Sequence, residues 1–324
     1  MRQHVLIYFL IVFVLTSLIG GSVFTTYSQF VNEGPLPTHK EVYIPKGTGL
    51  KQVAALLYRE GVIDSPSVFM LGVRASGNRN NIKAGEYSFP PRSSAKMVMN
   101  IIVSGHTHIR KLRIPEGLSS YQIVQLMDKA KGLTGTIEQM PKNGTLLPDT
   151  YHYSYGDTKK GMITRMQNAM NRTLLELWEK RSDNLPFSTP HEAIVLASVV
   201  EKETALPKER SLIASAFVNR LKKGMPLQSD PTVIYALTDG RYDLKRNLTY
   251  KDLKHPSPYN TYYVKGLPKA PISNPGKATI SAVLHPAETK YIYFVANGKG
   301  GHNFAETYDE HKKNVQSWRQ KNKK

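Results

Sequence analysis

The sequence predicts an α+β protein with one transmembrane helix at its N-terminus, a small α+β module, and a larger mixed α+β domain. Three observations carry this prediction. Val5 to Phe24 is an apolar run of roughly 20 residues without a charge, the length a helix needs to cross a hydrocarbon core. Behind it, residues 41–104 read as strand, helix, helix, strand and helix, a compact α+β order. Residues 105–324 then add several amphipathic helical periods with a few short strand-like runs. A chain of 324 residues can hold one large domain or two modest ones, each with its own core. The expected layout is therefore 1–27 for a cytoplasmic tip and spanning helix, 28–40 for a linker, 41–104 for the small module and 105–324 for the large domain.

The apolar run is read as an uncleaved anchor. A signal peptide has an apolar region of about 7 to 15 residues and a small-residue cleavage site, and neither fits the stretch before Thr25. Arg2 and the terminal amine mark the inner side, so the body is expected outside the cytoplasm, carried by a single pass through the membrane. The formal charge of +19 would suit nucleic acid, anionic lipid or an acidic polymer. With the body outside, nucleic acid is not an expected partner. The absence of cysteine removes thiol nucleophiles, disulfides and thiolate metal sites. Asn143, Asn171 and Asn247 open Asn-x-Thr sequons, patterns short enough to arise by chance.

Element by element, Ser28 to Lys40 has linker composition with Gly34, Pro35 and Pro37. Val42 to Ile44 reads as a strand, and Leu50, Val53, Ala54, Leu56 and Leu57 recur at helical spacing. Val68 to Val73 is helical, Ala84 to Phe89 alternates as a strand, and Met97, Val98, Ile101 and Ile102 mark a third helix. Lys111 to Ile114 is a strand before the helix of Ile123, Val124, Leu126 and Met127, and Ile163 to Trp178 is an amphipathic helix. Thr189, Pro190 and Glu192 form a capping box with proline at the first helical position. Behind that cap, Ala193 to Val200 is apolar nearly all round, which predicts a buried helix. Glu209 to Lys223 is a one-faced helix stopped by Gly224. A helix after Pro275, a strand Tyr291 to Val295, a turn Asn297 to Gly301 and a helix capped by Thr307 and Glu310 complete the chain.

The buried helix ends on Glu201-Lys202-Glu203-Thr204. A carboxyl group in an apolar setting keeps its proton near neutral pH, which is what a general acid requires. Glu201 and Glu203 lie about 200° apart on the helix, so one cleft admits one of them, and periodicity leaves open which. Two surface glutamates paired with Lys202, Lys208 or Arg210 are the structural alternative. Other chemistries fit less well. Ser93 to Lys96 matches S-x-x-K without its companion motifs and reads as a helix start, and His191-Glu192 lacks the second histidine of a zinc motif. The glycines after Asn297 lack the G-K-[ST] ending of a phosphate loop.

Ala197-Ser198-Val199-Val200-Glu201-Lys202-Glu203-Thr204, Val218-Asn219-Arg220-Leu221 and Leu227-Gln228-Ser229-Asp230-Pro231-Thr232-Val233-Ile234-Tyr235 occur in this order. They are followed by Tyr259-Asn260-Thr261-Tyr262, Gly266-Leu267-Pro268, His285-Pro286, Tyr293-Phe294-Val295 and Gly300-Gly301-His302 with Phe304. Together they closely resemble the endolytic murein transglycosylases, the MltG or YceG-like family, from Glu41 to the C-terminus. The resemblance implies a LysM-like module at 41–104 and a catalytic domain at 105–324. It also implies a carbon–oxygen lyase that cleaves between N-acetylmuramic acid and N-acetylglucosamine, leaves 1,6-anhydro ends and terminates the growth of nascent glycan strands. By the same resemblance Glu203 is the catalytic acid, no metal or cofactor is needed, and the partners are peptidoglycan glycan strands and a peptidoglycan synthase of the penicillin-binding class. Asp149, Gln228, Asp230, Thr232, Asn260 and Tyr262 are carried over as residues that line the cleft or support the helix end, with helix capping as the alternative for Asp230 and Thr232. Similar proteins usually read Glu-Gly where this chain has Asn143-Gly144. A non-catalytic, membrane-anchored wall-binding scaffold is the alternative function.

Overall fold

A computed structural model describes residues 2–321. The terminal amine and the Arg2 side chain, on which the orientation reading rests, lie outside the described residues, as do residues 322–324. The fold is mixed α+β, and the chain divides into two compact units, Met1–Arg110 with His152–Asp157 and Lys111–Tyr151 with Thr158–Lys324.

In the first unit, α1 (Arg2–Val31) contains the apolar span Leu6–Val31, long and apolar enough to cross a membrane. Its side chains are exposed from Leu6 through Phe24. The end of the helix behaves differently. Phe30 is buried and lies against Gly72, where a Cβ would stand 2.2 Å from the Phe30 ring. Leu36 is buried too, and its carbonyl accepts Arg92 N–H at 2.8 Å. The stretch read as a free linker is thus tied down, because its two large apolar side chains have a core to enter. β1 (Lys40–Ile44) pairs antiparallel with β2 (Gly85–Phe89), with Lys40 opposite Phe89 and Ile44 opposite Gly85. Val42 and Ile44 of β1 and Tyr87 and Phe89 of β2, the strand predicted to alternate, point inward. There they meet Val53 and Leu57 of α2 (Leu50–Arg59), Phe69 and Val73 of α3 (Pro66–Ala75), and Val98 and Ile102 of α4 (Ala95–Ser104). Ser94 caps α4 by accepting Met97 N–H at 3.1 Å, so the S-x-x-K match is a helix start.

The chain passes between the units within β3 (Arg110–Arg113) and β4 (Thr150–Tyr153). The second unit contains α5 (Ser120–Lys129), α6 (Lys159–Glu179) and α7 (Pro190–Glu203), then a 3-10 turn (Pro207–Glu209) leading into α8 (Arg210–Lys222). α9 (Asp230–Thr238), α10 (Tyr250–Leu253) and α11 (Lys277–Leu284) follow. A hairpin of β5 (Tyr293–Ala296) and β6 (His302–Ala305), closed by Asn297 N–H to Gly301 O at 2.8 Å, precedes α12 (Tyr308–Lys321). As its all-round apolar sequence requires, α7 is buried from Ala193 to Val200, packed among Met170 of α6, Ile213 and Phe217 of α8, and Ile280 and Val283 of α11. Its one buried hydroxyl, Ser198, accepts Ile272 N–H at 3.0 Å and so pins the loop before α11. The long connection from Thr238 to Asn274 has no strong hydrophobic period, and the sequence reading assigns it no element.

Candidate active site

The cap at the start of α7 sets where the helix begins. Thr189 Oγ1 accepts Glu192 N–H at 3.2 Å and Glu192 Oε2 accepts Thr189 N–H at 3.0 Å. At the far end of the helix Thr204 leaves helical space at φ −145°, and its Oγ1 accepts Leu206 N–H at 3.0 Å. This end is clamped from β6. Glu209, 6 % exposed, receives His302 Nδ1 at 2.8 Å and His302 N–H at 3.0 Å. Burial works to raise the Glu209 pKa, but these bonds outweigh it and hold the carboxyl below its ordinary range.

Glu201 and Glu203 point apart, as helical spacing demands. Glu201 Oε2 accepts Gly276 N–H at 2.8 Å, immediately before α11, and its role is to hold that turn. Burial raises its pKa, opposed by the Gly276 bond. Glu203 faces α9 and accepts a short hydrogen bond from Ser229 Oγ. Burial pushes the Glu203 carboxyl up to about 7; the Ser229 bond and the Arg220 charge oppose the shift, and the Asp230 charge reinforces it. Part of Glu203 stays exposed, so the neighbours that desolvate its carboxyl do not seal it off. Neither glutamate is the freely paired surface residue of the alternative reading. A carboxyl near 7 can give a proton and take one back at neutral pH, whereas an ordinary glutamate has none to give.

The residues around Glu203 come from a turn held on both sides. Gln228 adopts φ 49°, a left-handed conformation a non-glycine residue keeps only when its surroundings impose it. Its N–H bonds Thr261 O at 3.1 Å, and the next N–H, of Ser229, bonds Thr261 Oγ1 at 3.0 Å. The Gln228 side chain is exposed. Asp230, also exposed, accepts Tyr262 O–H at 2.7 Å. Burial raises the Tyr262 pKa far above its ordinary value, and Asp230 adds to the rise. Thr232 is buried and shares a hydrogen bond of 2.8 Å with Thr261 Oγ1. Asn260 is buried and donates to Leu253 O at 3.0 Å and His255 O at 2.8 Å, fixing the loop that presents Thr261 and Tyr262.

Five of the six supporting positions thus gather around Glu203 or brace the loop beside it. Asp149 does not. Its carboxylate accepts Thr150 N–H at 2.6 Å and its carbonyl accepts Ile114 N–H, with no bond to the Glu203 group among the described residues. The capping alternative also changes hands. Ser229, not Asp230 or Thr232, is the residue before α9, and its hydroxyl serves Glu203 instead of the helix. Ser229, Arg220 and the Glu209–His302 pair are the functional neighbours that pattern reading did not single out. The one available signal was a serine directly before Asp-Pro, an N-cap position whose hydroxyl can be used elsewhere.

A cavity of about 910 Å³ opens elsewhere in this unit, lined by His191 and Ile194 from the first turns of α7 and by Asn143, Tyr235 and Tyr259. Glu203 is not part of its wall. Asn143 accepts Ser120 N–H at 2.7 Å and donates to Tyr235 Oη at 2.9 Å. An amide can do both, whereas a carboxylate could only accept. In the first unit, Glu41, Glu86 and His108 lie close enough to suggest a cation site, but Arg110 Nη2 already donates to both carboxylates at 2.9 Å, so the guanidinium supplies the charge.

Residues 42–317 match the model of the YceG-like family. The chain is 31 % identical over 307 residues to the endolytic murein transglycosylase of Bacillus subtilis, covering 85 % of this chain and 84 % of that protein. It is 26 % identical to the endolytic murein transglycosylase of Streptococcus pneumoniae, where the match takes in 97 % of this chain but 65 % of the longer pneumococcal protein. A yceG-like protein from Listeria monocytogenes, known from a crystal structure, aligns at a TM-score of 0.52 with 32 % identity, over 86 % of this chain and 99 % of that one.

Proposed function

The chain belongs to the YceG-like family, and we propose that it is an endolytic peptidoglycan lytic transglycosylase with Glu203 as its acid and base. The observation that carries this reading is the Glu203 carboxyl, held near neutrality by burial and met by one hydroxyl, at the end of a rigid helix. Protonated Glu203 gives its proton to the oxygen joining N-acetylmuramic acid to N-acetylglucosamine, and the bond from that oxygen to muramyl C1 breaks. The resulting carboxylate takes the proton of the muramyl 6-hydroxyl as its oxygen closes onto C1. The products are a free 4-hydroxyl and a 1,6-anhydro end, and Glu203 is protonated again. A hydrolytic glycosidase needs a second carboxylate for water or for a covalent intermediate. An internal hydroxyl removes that need and frees Asp230 for electrostatic work, since its negative charge keeps the proton on Glu203 and favours positive charge developing at C1.

The other assignments follow the same reading. Tyr262 orients Asp230, while Gln228, Thr232 and Asn260 shape the turn and loop around the reacting bond. Asp149, directly before β4, keeps its assignment to the cleft wall or the helix end by resemblance alone. Residues 41–104 form a LysM-like glycan-binding module and 105–324 the catalytic domain. Leu6–Val31 anchors the protein by a single pass with the body outside the cytoplasm, where a peptidoglycan synthase supplies nascent strands.

Digestion of purified sacculi by the full-length protein in detergent tests the reading. Mass spectrometry of the fragments should show anhydromuramyl ends, one water lighter than free reducing ends. Free reducing ends as the main product would make the protein a hydrolase and overturn the mechanism.

A further inference from the structure

A buried cation acts on the acid. Arg220, on α8, is 8 % exposed. Its Nε donates to Ile292 O at 2.6 Å, and Nη1 donates to Leu227 O at 2.8 Å and Pro226 O at 3.3 Å. The Tyr293 ring lies 5.4 Å from its Cζ. All three acceptors are backbone carbonyls, and among the described residues no ion pair answers the charge. Burying a guanidinium without a counterion is costly, and an apolar side chain would fill the space at less cost. A loop clamp alone is therefore a poor account of this residue.

The charge that answers it is conditional. Arg220 and Glu203 act on one another electrostatically, as the Tyr293 and Tyr262 hydroxyls also act on Arg220, and among the described residues no other carboxylate does so. While Glu203 holds its proton, Arg220 has no counterion. Once the proton has left, the two charges attract in a place sheltered from water, where such attraction is strongest. The carbonyls that Arg220 holds have a matching position: Pro226 and Leu227 directly precede left-handed Gln228 and then Ser229, whose hydroxyl meets Glu203.

We propose that Arg220 is the positioning residue of this site: its guanidinium holds the 226–229 turn that brings Ser229 to Glu203, and its charge steadies the carboxylate that Glu203 becomes after protonating the glycosidic oxygen. The inference rests on Glu203 being the acid. Two charged groups face Glu203, Asp230 from α9 opposing ionisation and Arg220 from α8 favouring it, while the Tyr262 hydroxyl is occupied by Asp230. Removing the Arg220 charge leaves Asp230 unopposed, so Glu203 keeps its proton to higher pH and gives it up less readily.

The test is the rate of anhydro-end formation by full-length protein on sacculi, followed from about pH 5 to pH 9, where the loss of a proton donor shows as the alkaline limb. Wild type should lose activity as pH rises through about 7. Arg220→Gln should lower the plateau at least about tenfold and move that limb upward by roughly one unit, the low end of the effect of a nearby opposite charge. Arg220→Lys keeps the charge without the fork, so its plateau should fall while its limb stays in place. A limb that stays in place in Arg220→Gln, or moves equally in Arg220→Lys, would reduce Arg220 to a loop clamp and overturn the proposal. Arg220→Met, apolar and suited to a buried position, is the second neutral variant should the amide fail to fold by circular dichroism. If neither neutral variant folds, Arg220→Lys decides: a wild-type limb supports the proposal and a displaced one sinks it. Wild type without anhydro ends, or full activity in Glu203→Gln, is a separate failure that removes the acid itself.

Discussion

Glu86, buried in the first unit, and Glu203, partly buried in the second, are handled in opposite ways. Glu86 is 2 % exposed and meets Arg110 through two bonds, Nε to Oε2 at 2.8 Å and Nη2 to Oε1 at 2.9 Å. The pairing raises the Arg110 pKa, mainly through the hydrogen bond from Arg110 to Glu86. Glu203 receives one serine hydroxyl, a repelling Asp230 and an Arg220 that reaches it through space alone. The first arrangement locks a charge in place and the second leaves a proton exchangeable. A buried glutamate is therefore no evidence for chemistry until its partners are counted.

The comparison breaks most visibly through Glu203→Gln, which keeps the side chain's size and removes its proton. Strand cleavage should fall by about 10²- to 10⁴-fold, the usual contribution of a general acid, when soluble muropeptides are counted. Glu201→Gln, which can still accept from Gly276, should keep most of the activity in the same assay. Equal losses in the two variants would place the acid elsewhere.

Arg110→Met attacks the other side of the comparison. It leaves Glu86 buried beside Glu41 without their cation, and breaking a buried pair this way costs about 3 to 5 kcal/mol. Urea unfolding of the full chain should show the loss as an earlier transition. An unchanged transition would mean that water reaches Glu86 and that the pair is not structural.

A smaller effect follows from linkage at Glu203. Its folded value of about 7 lies above the ordinary 4.5, so between these values the native state binds the proton more tightly than the unfolded chain. Stability contributed by this group therefore falls as pH rises from about 4.5 to about 7, and the penalty above that range is at most about 3 kcal/mol. Glu203→Gln should melt higher than wild type at pH 8 and no higher at about pH 4. The same melting difference at both values would show that the carboxyl is not held neutral by the fold.

The smallest change is Thr189→Ala, which removes the hydroxyl that caps α7 and should cost about 1 kcal/mol. Thermal denaturation at one pH measures it. A loss far below that would mean that Pro190 and the packing of Ala193 to Val200 start the helix unaided.

Much of the scaffold was legible beforehand because its signals are local. The capping box at Thr189, the apolar circumference of Ala193 to Val200, the alternation of β1 and β2 and the hairpin glycines after Asn297 each depend on residues a few positions apart. Ser28 to Lys40 shows the limit of such local signals, since prolines and glycine dominate its composition while Phe30 and Leu36 find their partners far along the chain, in α3 and beside Arg92. The site was half visible. An acid at the end of a buried helix could be argued from pattern, but the choice between Glu201 and Glu203 came from resemblance.

What the sequence by itself determined is most of the elements and the family of the chain: a spanning-length apolar helix, two folded units, and an ordered run of motifs that chance does not produce. Tertiary structure alone decided which partners the charged groups have. Glu201 is drawn to Gly276, Glu203 to Ser229, Glu209 to His302 and Arg220 to the carbonyls of residues 226, 227 and 292, across separations of 6 to 93 residues. The reason is physical. Helix and strand formation reads neighbours along the chain, whereas the proton affinity of a carboxyl depends on every charge and dipole within a few ångströms, and only folding determines which those are.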